Sequence, residues 1–167
     1  MPSSVSCRRN EPPSRGLTLL ELLVVLVVLA VCVTLALPNL SGWIEKYTVW
    51  KAARQRVTDL QLAKMRAVSH GLQHRVAFDA AHGSCIIEQG NASKGSTTWA
   101  PVGVVRDLSG PQNPHYARGV MLSTNFTDHV VIFSTRGTAS PAGTVTLGTA
   151  NQIRRVIVVL SGRIRSG

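Results

Sequence analysis

The longest apolar run of the chain extends from Leu17 to Leu37. As a helix rising ~1.5 Å per residue it would reach ~31 Å, which is the thickness of a bilayer core. Basic residues flank it closely only on the N-terminal side, so the positive-inside rule predicts a cytoplasmic N-terminus and a periplasmic C-terminal domain. The pattern predicts a retained single-pass transmembrane helix over 17–38. The polar and basic segment 1–16 before it is interpreted as a leader that is removed.

A second helical pattern covers residues 39–71. Its apolar side chains recur every three or four positions, at Trp43, Tyr47, Trp50, Ala53, Val57, Leu60, Ala63 or Lys64, and Val68. This spacing predicts an amphipathic helix. Its other positions hold Arg54, Arg56, Lys64 and Arg66. Gly71 is a predicted C-cap, and Pro38 is predicted to kink the helix where it leaves the lipid, because proline removes a backbone hydrogen bond.

Residues 72–167 change to short strands separated by Gly, Pro, Asn and Ser. Strands are predicted over Gln73–Asp79, Cys85–Glu88, Val102–Arg106, Val120–Thr124, Val130–Ser134, Thr144–Leu147 and Ile153–Leu160. The apolar run Val156–Leu160 predicts a strand buried on both faces, whereas Asn91–Thr98 and Ser109–Pro114 are predicted loops. The predicted fold class is α+β, with a long N-terminal pilin-like helix packed on an antiparallel β-sheet domain.

Charge and cysteine content limit the function classes. The formal net charge is +10 and the pI is near 10.8, so we expect a polyanionic partner: nucleic acid, anionic lipid or an acidic protein face. The three cysteines, Cys7, Cys32 and Cys85, fall in different regions and predict no disulfide framework. The histidines lack zinc-type spacing, so we expect neither a metal nor a cofactor.

The start of the apolar run reads RGLTLLE, from Arg15 to Glu21. This stretch resembles the processing site of type IV prepilins and type II secretion pseudopilins, where a membrane aspartyl peptidase cuts after the glycine. The resemblance implies cleavage between Gly16 and Leu17 by the prepilin peptidase, and N-methylation of Leu17. Leu17 stands where the family usually has Phe.

Glu21 is an ionisable residue inside a predicted membrane helix. Such a group costs ~2.5–3.5 kcal/mol on insertion scales and persists only with a partner or a function. The resemblance implies that Glu21 meets the N-terminal amine of a neighbouring subunit as a filament assembles. The alternative is a side chain that reaches the membrane edge.

The chain after Leu17 resembles the GspH/FimT family of minor pseudopilins. The similarity is carried by Phe133–Thr138, Gly143–Leu147 and Arg154–Ser161, followed by Gly162-Arg163-Ile164-Arg165. It implies a minor subunit of a type II secretion pseudopilus or a type IV pilus. The implied partners are other pilins or pseudopilins, the prepilin peptidase, the inner membrane and secreted proteins. Both machines use the same leader and helix, so the sequence leaves the choice between them open.

The last tetrapeptide has the Gly-Arg-x-Arg form, which in the FimT branch lies in a DNA-binding surface used in natural transformation. Arg163 and Arg165 alternate along an extended chain and project to one side, with Arg154 and Arg155 nearby in sequence. Binding of double-stranded DNA through its phosphates is therefore the alternative function. The same arginines could instead protect an edge strand or contact acidic subunits.

Catalysis is not expected. Asp128, His129 and Ser134 are close in sequence, but alternation along a strand would place Asp128 and His129 on opposite faces. The sequence also lacks a Gly-x-Ser-x-Gly nucleophile elbow. We therefore predict no catalytic residue.

Overall fold

The computed structural model describes residues 18–108, 117 and 119–167, with the backbone alone between 36 and 41. The chain divides into two compact units, Met1–Leu40 and Ser41–Gly167. Helix α1 extends from Leu19 to His70 and contributes to both units. The two helical segments predicted from the sequence, 17–38 and 39–71, therefore belong to one helix.

Both ends of α1 are explained by local chemistry. At the start, the Glu21 amide donates to Thr18 Oγ1 at 3.2 Å, which satisfies one of the free N–H groups of the first turn. At the end, Gly71 adopts φ +65°, the left-handed conformation that glycine reaches without a steric penalty. The predicted C-cap at Gly71 is confirmed.

After α1, the regular secondary structure of the described residues consists of short strands and one 3-10 turn. They are β1 His74–Asp79, β2 Ser84–Gly90, β3 Trp99–Pro101, β4 Arg106–Asp107, β5 Met121–Thr124, a 3-10 turn Thr127–His129, β6 Val130–Phe133, β7 Ala139–Ser140, β8 Gly143–Gly148, β9 Ile153–Val158 and β10 Ile164–Ser166. The predicted strand Val102–Arg106 is wrong, because residues 102–105 lie between β3 and β4 without ladder pairing. Asn91–Thr98 is a loop as predicted, and Ser109–Pro114 lies wholly outside the described residues.

The described strands form two antiparallel sheets, where the sequence led us to expect one. Sheet A has the order β3-β2-β1-β6-β7, with β4 also paired to β2 at the edge. Sheet B has the order β10-β9-β8-β5. The predicted α+β class with an antiparallel β domain is confirmed.

Within the second unit, one face of α1 joins the inner faces of both sheets in a single core. The helix contributes small side chains, chiefly Ala52, Ala53, Ala63 and Ala67, around Leu60. Sheet A adds Val76, Phe78, Ile87, Val131 and Phe133, and sheet B adds Leu122, Val145, Leu147, Val156 and Val158. Small helix residues let the backbones of helix and sheets approach closely, so burial is achieved with little side-chain volume.

The buried face of α1 is rotated from the predicted one. Trp43, Tyr47 and Trp50 were expected to face the core, but they are 64%, 52% and 42% exposed. Val68, also expected inside, is 53% exposed. Ala53, Leu60 and Ala63 of the predicted face are buried as expected. The exposed large aromatic side chains are replaced in the core by small helix residues beside them.

Arg56 was assigned to the polar face and is instead fully buried. It donates to Cys85 Sγ and, at 3.3 Å, to the Arg106 carbonyl, and its Nη1 lies 3.4 Å from Asp59 Oδ2. Arg106 reaches the other Asp59 oxygen at 3.1 Å. Asp59 therefore holds two guanidinium groups between α1 and sheet A. The cluster offsets much of the desolvation penalty that an isolated buried charge would carry.

The apolar run Val156–Leu160 is buried on one face only. Val156 and Val158 point into the core, whereas Ile157 is 41% and Leu160 62% exposed. The expectation of a strand buried on both faces is wrong, because the core lies on one side of sheet B alone.

Candidate functional site

The N-terminal start of α1 is the first candidate site. Gly16 and Leu17, the predicted cleavage site, lie outside the described residues. From Thr18 the chain enters the helix at once, and Glu21 occupies its first turn with an exposed side chain. No hydrogen bond or ion pair to the Glu21 carboxylate is formed among the described residues. The positive end of the helix dipole favours a carboxylate at this position.

The stretch of α1 from Leu19 to Leu35 exposes apolar side chains around its whole circumference. Leu19 is 83% exposed, Leu35 is 75% exposed, and the leucines and valines between them are 51–71% exposed. Of the helices in the described residues, none combines the length and hydropathy needed to cross a bilayer.

Pro38 lies within α1, in the part where the backbone alone is described. The predicted kink at Pro38 stays a prediction.

The four candidate arginines divide between the two faces of sheet B. In an antiparallel ladder, directly opposite residues project to the same face. Arg154 pairs with the buried Leu147 and so lies on the side of the core, near α1. Arg155 pairs with Thr146 and lies on the outer face.

Arg165 pairs with the exposed Ile157, two residues after Arg155, so it also lies on the outer face of sheet B. The Val159 amide donates to the Arg163 carbonyl at 3.1 Å, which continues the pairing back to Arg163. Alternation then places Arg163 on the same side as Arg165. Three of the four predicted arginines therefore share one surface, and Arg154 does not.

Gly162, the first residue of the Gly-Arg-x-Arg motif, has a structural role that the sequence did not reveal. It adopts φ +72°, and a Cβ atom there would lie 1.8 Å from the Gly137 carbonyl oxygen. Its own carbonyl accepts a hydrogen bond from Lys64 Nζ at 2.9 Å. Two turns, one from each sheet, thus meet over α1, and their contact fixes the position of the turn that precedes Arg163 and Arg165.

The polar residues near the 3-10 turn do not form a nucleophile–base pair. His129 Nδ1 lies 2.8 Å from Thr124 Oγ1, and Ser134 Oγ lies 2.7 Å from Thr138 Oγ1. Each side chain is engaged with a separate threonine. Within the described ranges, no group of three or more His, Cys, Asp or Glu residues could hold a metal ion.

A long N-terminal helix packed on small antiparallel sheets defines the architecture of pilin-like subunits. The family model described as type II transport protein GspH matches residues 52–162, and the prokaryotic N-terminal methylation motif matches residues 12–37. The chain belongs to the GspH family, whose members are minor pseudopilin and pilin subunits of type II secretion systems and type IV pili. This family is one of structural subunits. No curated protein sequence matches the chain.

Solved structures confirm the fold. The chain is similar to the minor pseudopilin EpsH from the type 2 secretion system of Vibrio cholerae, with 17% identity, a TM-score of 0.54, and 71% of this chain and 95% of that one covered. The type IV minor pilin FimU of Pseudomonas aeruginosa is 19% identical, with a TM-score of 0.56 and coverage of 75% and 92%. GspH of E. coli is 13% identical, with a TM-score of 0.56 and coverage of 74% and 90%.

Proposed function

We propose that the chain is processed between Gly16 and Leu17 by the prepilin peptidase, methylated at Leu17 and anchored in the inner membrane by the helix that follows. The N-terminus faces the cytoplasm and the second unit faces the periplasm. From the membrane the subunit enters a pseudopilus or pilus together with other pilins or pseudopilins. The methylation motif at residues 12–37, which spans the predicted cleavage site and the start of α1, carries this proposal.

The exposed apolar stretch Leu19–Leu35 supports assembly through the helix. A helix that is apolar on every side requires cover from lipid or from other helices. Lipid provides that cover before assembly, and neighbouring helices provide it in the filament.

Glu21 adds specificity to this packing. Cleavage before Leu17 would create a new N-terminal amine one residue before the helix cap, close to the first turn that carries Glu21. The same amine on a neighbouring subunit is the partner that we assign to the Glu21 carboxylate. Pairing the two charges removes the cost of holding each alone in an apolar environment.

Replacing Gly16 tests the processing step. A side chain at the scissile position should prevent close approach of the peptidase, so Gly16→Leu protein should migrate on a gel as the larger, uncut form. The control is Ser14→Leu, which adds similar bulk two residues before the glycine and should leave cleavage intact. Equal mobility of wild type and Gly16→Leu would contradict the leader assignment.

A second candidate function is binding of double-stranded DNA by the outer face of sheet B. It is supported only by the shared placement of Arg155, Arg163 and Arg165, none of which has an ion-pair partner among the described residues. Phosphate contacts of this kind bind duplex DNA without sequence preference and weaken with salt.

The test uses the processed full-length chain in detergent. The double variant Arg163→Gln, Arg165→Gln should weaken duplex binding for unrelated sequences and reduce the salt slope by ~2. Arg154→Gln, on the opposite face, is the matched control and should bind as wild type does. Affinity no better than that of a charge-matched control protein would remove DNA binding from the account.

A further inference from the structure

A groove lies between α1 and sheet B, entirely within the second unit. Its volume is about 300 Å³, and it is lined by Trp50, Ala53, Arg54, Val57, Arg154 and Ser166. One wall is apolar and comes from the helix, and the arginines come from both elements. This size accommodates one or two side chains of an incoming segment.

A row of exposed aromatic rings continues from the groove along α1. Trp43 stacks on Tyr47 with ring centroids 5.9 Å apart, and Tyr47 stacks on Trp50 at 6.0 Å. The Arg54 guanidinium lies over the Trp50 ring, 5.0 Å from its centroid. Positions 43, 47, 50 and 54 fall on one helix face, so groove and rings form one continuous surface, which we name the aromatic groove.

The charge of the aromatic groove is unbalanced. Arg54 and Arg154 both line it, and neither forms an ion pair with a carboxylate among the described residues. Two guanidinium groups beside an apolar wall form a suitable site for a carboxylate. A guanidinium group can bind a carboxylate through two parallel hydrogen bonds. Arginine and tryptophan are also the residue types that dominate the energetics of protein interfaces.

We infer that the aromatic groove docks an acidic segment of a neighbouring filament subunit, with a carboxylate held between Arg54 and Arg154 and apolar side chains on the aromatic rings. The inference rests on the proposed filament role, which supplies the neighbour. Charge complementarity selects the occupant. Of the net charge of +10, residues 1–16 carry +2, from Arg8, Arg9 and Arg15 against Glu11. The processed chain keeps +8, so it repels a second copy of itself and attracts an acidic partner.

Site-specific photo-cross-linking in the native host tests the inference on the full chain. The photoreactive amino acid p-benzoylphenylalanine replaces Tyr47, an exposed aromatic position. We expect a cross-link to another pilin or pseudopilin, within about ten residues of an Asp or Glu in the partner, since this length of extended segment can cover the groove and the rings. The cross-linked peptide is identified by mass spectrometry.

Matched variants show whether the two arginines carry the contact. Arg54→Gln with Arg154→Gln should lower the cross-link yield at least about tenfold, because two charge-assisted contacts are lost. Arg155→Gln with Arg165→Gln removes the same charge from the opposite face of sheet B and should leave the yield unchanged. A partner variant with Arg in place of the docked acidic residue should restore the cross-link of Arg154→Glu protein.

Each other outcome overturns the inference. These are a yield insensitive to Arg54 and Arg154, a cross-link to a second copy, to lipid or to nucleic acid, or no cross-link in either membrane or filament fractions. An unchanged melting curve excludes unfolding of the variants as the cause of a loss. Recovery of wild-type subunit in sheared filaments reports separately on the proposed function: subunit in filaments without the cross-link rejects the groove alone, whereas a cross-link without filament entry rejects the filament role.

Discussion

Between Leu19 and Leu35, α1 leaves its apolar side chains exposed on every side, whereas from Val49 to Ala67 the same helix buries one face under two sheets. The first stretch has no cover within the described chain. The second stretch is covered by the sheets of its own unit, and its buried Arg56 is paired with Asp59 of the same helix. One helix thus joins a region that depends on neighbours to a region that does not. Substitutions in the two regions should therefore have separable effects, on assembly in the first and on stability in the second.

The largest stability effect should come from Asp59→Ala, in the part of α1 that is packed under the two sheets. The change leaves Arg56 fully buried and Arg106 beside it without their shared carboxylate. Breaking a buried ion pair from one side costs about 3–5 kcal/mol. Chemical denaturation of the full chain in detergent measures the loss. The control is Asp79→Ala, at an exposed carboxylate that accepts hydrogen bonds from two backbone amides and pairs with the His82 ring, so a loss well below that of Asp59→Ala is expected. Equal effects of the two variants would argue against a structural role for the cluster.

Gly162→Ala should be nearly as damaging. The added Cβ meets the Gly137 carbonyl oxygen and the backbone is left-handed, so strain and displacement together should cost about 3 kcal/mol. Gly95→Ala is the matched control, since Gly95 also has a positive φ but open space around it, and only about 1 kcal/mol is expected. If both variants unfold at the same denaturant concentration, the contact between the two turns does not support the fold.

A smaller effect is expected from acid. His74 is buried, which lowers its pKa, and the neighbouring positive groups His70 and Arg66 lower the pKa further against a raising hydrogen bond to the Leu72 carbonyl. A histidine whose folded-state pKa is depressed binds protons more readily when unfolded, so stability should fall as pH drops below about 6.5. Melting temperatures between pH 7.5 and pH 5.5 measure this effect.

His74→Gln should flatten that part of the pH profile. The control is His82→Gln, because contact with Asp79 raises the pKa of the exposed His82, and this variant should not flatten the acid decline. If the melting temperature of His74→Gln protein falls with acid as much as that of wild type, other groups cause the loss of stability.

The sequence predicted α1, the C-cap at Gly71 and most strands, because each rests on a repeated local pattern. It missed β3 and β7 and misplaced β4, which have two or three residues each and are too short to show periodicity. It placed Trp50 in the core and Arg56 in solvent. The charge partner of Arg56, Asp59, is three residues along the helix, but Cys85 and Arg106, which complete its burial, are distant in sequence, and no local pattern contains that information.

The candidate sites, too, could be predicted only where a local pattern marks them. Glu21 could be identified because a charge inside an apolar run is conspicuous. Alternation along the predicted strand already separates Arg154 from Arg155. The grouping of Arg155 with Arg165 could not be predicted, because it depends on the pairing of β9 with β10. The aromatic groove combines residues of α1 and β9 that are about a hundred positions apart.

Incorporation of Glu21→Ala protein into filaments tests the central claim most directly. The Glu21 carboxylate makes no hydrogen bond or ion pair among the described residues, so the variant should keep the wild-type melting curve. Loss of its intersubunit charge pair should reduce its share of sheared filaments on the order of tenfold. Thr34→Ala is the control, because the Thr34 hydroxyl donates to the Ala30 carbonyl of its own helix at 2.8 Å and should not matter for assembly. Wild-type incorporation of Glu21→Ala protein, with the same melting curve, would contradict the claim that neighbours complete this region.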